Sequence, residues 1–172
     1  FTDANGELPE RSDVNAIMQQ ITYASTSNDP ETSVQLDWTF TDEAGAPVTE
    51  TASVSISLKN DAPVLTASGG AVTFTENGAA VDLFNNLSID LIEAAQSVIG
   101  MQLTVTGVNN GSAEILTVDG SDVALTEANS LTTASNALQA SVALTDSTAT
   151  VSLSHATGIS SALAEAILDA IT

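Results

Sequence analysis

The sequence predicts an all-β fold, an antiparallel β-sandwich accompanied by two short helices. Three observations carry that expectation. Apolar and polar residues alternate with a period of two over residues 34–40, 103–106, 141–144 and 150–154, as strands with one buried and one wet face require. Turn pairs recur between such runs, at Asn77-Gly78, Asn110-Gly111 and Asp119-Gly120. Thr, Ser and Val recur within these runs, while aromatic residues make up only 3% of the chain, a pattern that suits short, half-buried strands.

Taken in order, the first element is a helix over residues 14–22, where apolar residues fall at helical spacing and a serine upstream can cap the start. Strands at 34–40 and 51–58 follow, the second alternating small polar residues with Val54, Ile56 and Leu58. Lys59-Asn60-Asp61-Ala62-Pro63 then reads as a joint. Asn60 and Asp61 bring side-chain oxygens to it, and Pro63 fixes φ and removes a backbone donor, so the chain there is stiff and extended. A new set of strands is expected from Ala71-Val72-Thr73-Phe74 onward. A second helix is expected over residues 164–172. It repeats Ala16, Ile17, Ile21 and Thr22 as Ala166, Ile167, Ile171 and Thr172, at an offset of 150 positions. Such self-similarity reads as an internal repeat. On this reading residues 1–58 are the C-terminal part of one repeat module, 59–63 a linker, and 64–172 the N-terminal body of the next. The second part then lacks the strands that 34–40 and 51–58 supply to the first, and each part alone exposes sheet edges and apolar faces.

Composition narrows the function. A chain of 172 residues holds one full sandwich and part of another, or a single large one, and is too short for a multi-domain enzyme. Two basic residues, Arg11 and Lys59, stand against 22 acidic ones, for a net charge of −20. No basic patch can form, which excludes nucleic acid as a partner. The acidity reads either as a solvated, solubilising surface or as a demand for calcium, a hard cation bound by carboxylate and carbonyl oxygens. With so few cationic side chains, ion pairs cannot do the neutralising. Cysteine is absent, which removes disulfides, thiolate metal sites and cysteine nucleophiles. No apolar run approaches the length of a membrane span, so no membrane insertion is expected. The start without Met reads as a processed or cut product, with any export signal outside the chain.

Candidate ligands are Asn60 and Asp61 in the joint, Glu76 after it, and Asp90 with Glu93 as a second acidic pair. For each there is a plainer alternative. Asn60 can cap a strand end, and Asp90 and Glu93, three residues apart, can form the wet face of one helical turn. Asp3, Asn5 and Glu7 resemble the opening of a calcium-binding helix-loop-helix loop, but Val14 stands where the closing Glu belongs, and a terminal polar turn is the plainer reading. His155 is the only histidine, set at the end of an expected strand without a nucleophile or second ligand nearby in sequence, so it reads as a surface loop residue. Paired carboxylates could in principle hydrolyse glycosides, but the acids sit in turn-like contexts and few aromatics are present to stack a sugar. Trp38 and Phe40 read as core anchors. The sequons at Asn86 and Asn110 carry little weight.

Asn60-Asp61-Ala62-Pro63 after an alternating strand, followed by Phe74-Thr75-Glu76-Asn77-Gly78, resembles the cadherin-like and immunoglobulin-like tandem repeats of very large secreted bacterial adhesins, including those of the RTX type. The resemblance spans most of the chain, from about Val14 to Thr172. A short helix leading into a stretch like Ile21-Thr22-Tyr23 is typical of such repeats. The resemblance implies an immunoglobulin-like or cadherin-like sandwich built from parts of two successive repeats, with calcium shared at the linker by Asn60, Asp61 and Glu76. Lys59 stands where cadherin-type linkers usually carry an acid, which changes the number of ions to be expected. The implied function is a non-enzymatic, extracellular structural or adhesive module stiffened by calcium, with neighbouring repeat modules or identical subunits as partners and surface glycans as candidate ligands. Alternatives are a filament or surface-layer subunit assembled by strand donation, a carbohydrate-binding module, and, last, an extracellular hydrolase.

Overall fold

Strands make up most of the regular structure, and every strand pairing is antiparallel. The structure, a computed structural model, describes residues 10–41 and 44–172. The chain divides into two units, residues 1–59 and 60–172.

In the first unit, helix α1 (Arg11–Met18) starts earlier than its apolar spacing indicates. Glu10 is the N-cap, and its N–H donates to Asp13 Oδ2 at 3.1 Å. Ser12 therefore lies inside the first turn, and the expected serine cap is corrected to Glu10. Strands β1 (Ser33–Thr41) and β2 (Pro47–Ser55) form a two-stranded ladder from Ser33↔Ser55 to Thr41↔Pro47. One face is polar: Asp37 Oδ1 accepts from Gln35 Nε2 and Thr51 Oγ1, and the Thr39 and Thr49 hydroxyls meet at 3.0 Å. The other presents Val34, Leu36, Trp38 and Phe40 of β1, all half-buried, opposite Val54, Ala52, Glu50 and Val48.

The second unit holds β3 (Val64–Gly69), β4 (Phe84–Asp90), β5 (Val98–Thr106), β6 (Ile115–Val118), β7 (Ser121–Ala124), β8 (Ser130–Thr132), β9 (Gln139–Thr145), β10 (Thr148–Ile159) and helix α2 (Ser161–Asp169). The main sheet has the order β5-β10-β9-β8, and β3–β4 and β6–β7 form separate ladders. Tight hairpins explain two of the pairings. Asp146 and Asp119 adopt positive φ (53° and 50°), and Gly120 follows at 73°, the backbone that two-residue hairpin loops require. The core gathers Val118 and Val123 from the small ladder, Val142, Val151 and Leu153 from the main sheet, and Ile167 and Leu168 from α2. Ser160 caps α2 by accepting from the Leu163 N–H. The helix is tied to β4 by two carboxylates one turn apart, because Ile89 N–H donates to Glu165 Oε1 and Leu87 N–H to Asp169 Oδ1. Backbone donors on one edge of β4 are thereby satisfied by side chains.

Three further expectations are corrected. No strand forms at 71–74: β3 begins at Val64, directly after Pro63, and pairs with β4, whereas the alternation at 71–74 finds no partner. A proline just before a strand costs the ladder nothing, since it precedes the first bond. Asp90 and Glu93 do not share a helical turn, for Asp90 ends β4 and Glu93 lies in the turn after it. His155 is half-buried within β10 rather than in a loop, with Thr157 Oγ1 3.4 Å from its Nδ1.

Candidate metal centre

The site starts from the turn that joins β4 to β5. The Asp90 carboxylate accepts from the Ile92 N–H at 2.9 Å, and the Glu93 N–H donates to the Leu91 carbonyl at 2.8 Å. Between them Ile92 has φ +67°. This is a γ-turn of the strained, positive-φ kind, and a β-branched residue there costs roughly 1–3 kcal/mol. Its effect is to swing Glu93 back toward the start of the unit, where the Asp61 N–H donates to Glu93 Oε1 at 2.6 Å. Asn60 completes the group: its Oδ1 accepts from the Gln96 side-chain amide and its Nδ2 donates to the Asp61 carbonyl at 3.1 Å.

Asn60 and Asp61 thus meet Glu93, which lies 32 positions beyond Asp61 in the chain. Asp90 stands at the base of the same turn, its Oδ1 engaged by Ile92. Glu76 sits apart, exposed in the turn where the Gly78 N–H donates to the Thr75 carbonyl, and takes no part in this contact. Glu93 Oε2 is the telling atom. It is buried and has no hydrogen-bond partner among the described residues, and a buried carboxylate oxygen left in that state is costly. Among the described residues no three His, Cys, Asp or Glu side chains converge as a ready cage. An ion at this place would take Glu93 Oε2 and Asp61 as charged ligands and fill its shell from amide oxygens, carbonyls and water, as calcium does with six to eight oxygens at about 2.3–2.6 Å. Asp3, Asn5 and Glu7 lie outside the described residues.

Asp119 offers the contrast. It is buried, with only 9% of its surface exposed, yet both of its oxygens accept hydrogen bonds. Thr133 Oγ1 and the Asn136 N–H donate to Oδ2, and Asn136 Nδ2 donates to Oδ1. Burial alone raises its pKa, but these donors outweigh burial and hold the carboxyl below its ordinary 3.8. It latches the β6–β7 turn to the loop at 133–136, and neither of its oxygens is left without a donor. The sequence around Asp119 carries only the Asp119-Gly120 turn signal, since the partners lie 14 to 17 positions away.

No protein-family model matches the chain, and neither a curated protein nor a solved structure matches it significantly. No helix among the described residues is long and apolar enough to cross a membrane.

Proposed function

We propose that this chain is a non-catalytic, calcium-binding module of an extracellular bacterial surface protein, of the immunoglobulin-like or cadherin-like sandwich type. Its role is structural or adhesive. The observation that carries the reading is Glu93, which holds the Asp61 backbone through one oxygen while the other is buried without a partner. A divalent cation there supplies what the protein does not, and it reduces the self-repulsion of a chain with net charge −20. Its place at Asn60 and Asp61, where the second unit begins, gives it a mechanical consequence. Bound calcium would lock the turn after β4 onto the extended segment that ends at Pro63. Neighbouring modules or identical subunits would then meet a stiff joint in place of a flexible one.

Calorimetric titration with calcium tests this. The intact chain should bind, and Asp61→Asn and Glu93→Gln should each weaken binding at least about tenfold, roughly 1.4 kcal/mol. Unchanged affinity in both variants would return Asp61 and Glu93 to the role of a polar turn. A carbohydrate-binding module would instead show a glycan-dependent change in the fluorescence of Trp38, the single tryptophan.

A further inference from the structure

The second unit contains a slot. An apolar cleft of about 810 Å³ opens between the β3–β4 ladder and β5, lined among others by Leu65, Leu87, Ile89, Ile99, Met101 and Leu103. Two of these, Leu65 and Ile99, are 61% and 68% exposed. β5 is an outer strand of the main sheet, and among the described residues it is hydrogen-bonded on one side, to β10. Such an edge carries unpaired donors and acceptors along its whole length. The β4 edge is held by the α2 carboxylates, and β5 offers the main sheet's edge to a visiting strand at the cleft.

The chain itself carries a strand of the right kind. β1 has nine residues, as β5 has, and four apolar side chains on one face. Glu50 shares the equivalent face of β2, which leaves β1 as the strand suited to an apolar slot. That hairpin follows α1, and α1 corresponds to α2 in structure as well as in sequence. The N-caps Glu10 and Ser160 are 150 positions apart, the same offset that aligns Ile17 with Ile167 and Ile21 with Ile171. The residues that are core in the second unit, Ile167 and Ile171 at 4% and 0% exposure, are 52% and 48% exposed as Ile17 and Ile21. By this correspondence a β1–β2 hairpin is the element that follows a helix like α2.

We infer that the cleft of one copy of this chain receives strand β1 of a second copy, which pairs with the free edge of β5 and places Val34, Leu36, Trp38 and Phe40 in the apolar slot. The 14 residues between α1 and β1 are long enough that α1 need not compete for the place of α2. Donor and acceptor are different surfaces of the same molecule, so the contact is heterologous and propagates as an open chain of subunits. This goes beyond the calcium reading and does not depend on it.

Complementation of two variants of the full chain is the test, read by sedimentation at high salt so that the charge of −20 does not oppose contact. The unaltered chain should grow in mass with concentration. Trp38→Asp removes the donor, and Ile99→Asp, at an exposed position of the acceptor, blocks the slot. Each variant alone should stay monomeric. Mixed in equal amounts they should form dimers and nothing larger, because each retains one working half, with a shift of the Trp38 emission to shorter wavelength in the Ile99→Asp partner. If Trp38→Asp misfolds its own hairpin it still serves as acceptor, so the mixture remains decisive. An unaltered chain that is monomeric at every concentration, as insertion into its own cleft would also produce, overturns the proposal. So does a mixture that fails to pair, or association that survives both substitutions.

Discussion

The two helices carry nearly the same apolar pattern and meet opposite fates. In α2, Ile167 and the following Ile171 lie in the core, whereas Ile17 and Ile21 are half exposed at the same places of α1. The difference arises outside the helices. The buried face of α2 belongs to one core cluster with Val118, Val142 and Val151, and Glu165 and Asp169 fix the helix to β4. At the corresponding positions α1 has Asn15 and Gln19, which cannot act as carboxylate acceptors. An amphipathic pattern states which face would be buried, and only the rest of the fold decides whether it is.

The widest gap between the units should appear in amide hydrogen exchange. A lone two-stranded ladder is marginally stable, whereas central strands open only with the whole unit. Amides of β9 and β10, such as Val142 and Val151, should exchange at least on the order of a hundredfold more slowly than those of β1 and β2. Equal protection would break the comparison by giving the first unit a core of its own.

Paired substitutions sharpen the same point. Ile171→Ala should cost about 2–5 kcal/mol in chemical denaturation, the usual range for emptying a buried isoleucine site. Ile21→Ala should stay within about 0.5–1 kcal/mol. Comparable losses at the two positions would contradict the assignment of Ile21 to an unsupported face.

A smaller effect belongs to Asp119 in the second unit. Asp119→Ala removes charge-assisted bonds from Thr133 and Asn136 and should cost about 2–3 kcal/mol at neutral pH. The pH dependence follows in sign. Folding depresses the carboxyl's pKa below 3.8, so its contribution is complete above that value and is lost as pH falls through the lower folded-state pKa. Denaturation midpoints of the parent and Asp119→Ala should therefore converge in strong acid. A difference that persists unchanged at low pH would assign the loss to packing.

Much of the strand pattern was legible, and the reasons are local. At β1, β9 and β10 the period-two alternation lies within single runs, and each run became a strand somewhat longer than its clearest core. Alternation without a partner misled at 71–74, and Val64 and Leu65 were masked as a strand start by their closeness to Pro63. At α1 no serine marks the cap, because the Asp13 carboxylate accepts from the Glu10 N–H and fixes the start of the helix there. What local pattern cannot carry is long-range convergence. Nothing near Glu93 in sequence indicates that Asp61 lies beside it, nor does the Asp119 turn announce Thr133 and Asn136. The strain at Ile92 is equally silent, since isoleucine is the last residue to be expected at φ +67°.

Thermal melting in calcium and in chelator, at fixed ionic strength, tests the central claim most directly. If an ion occupies the place beside Glu93 Oε2, the folded chain should gain on the order of 3 kcal/mol at a hundredfold excess of calcium over its dissociation constant. Glu93→Gln should abolish most of that gain while keeping the fold in chelator. Identical midpoints with and without calcium would contradict the account.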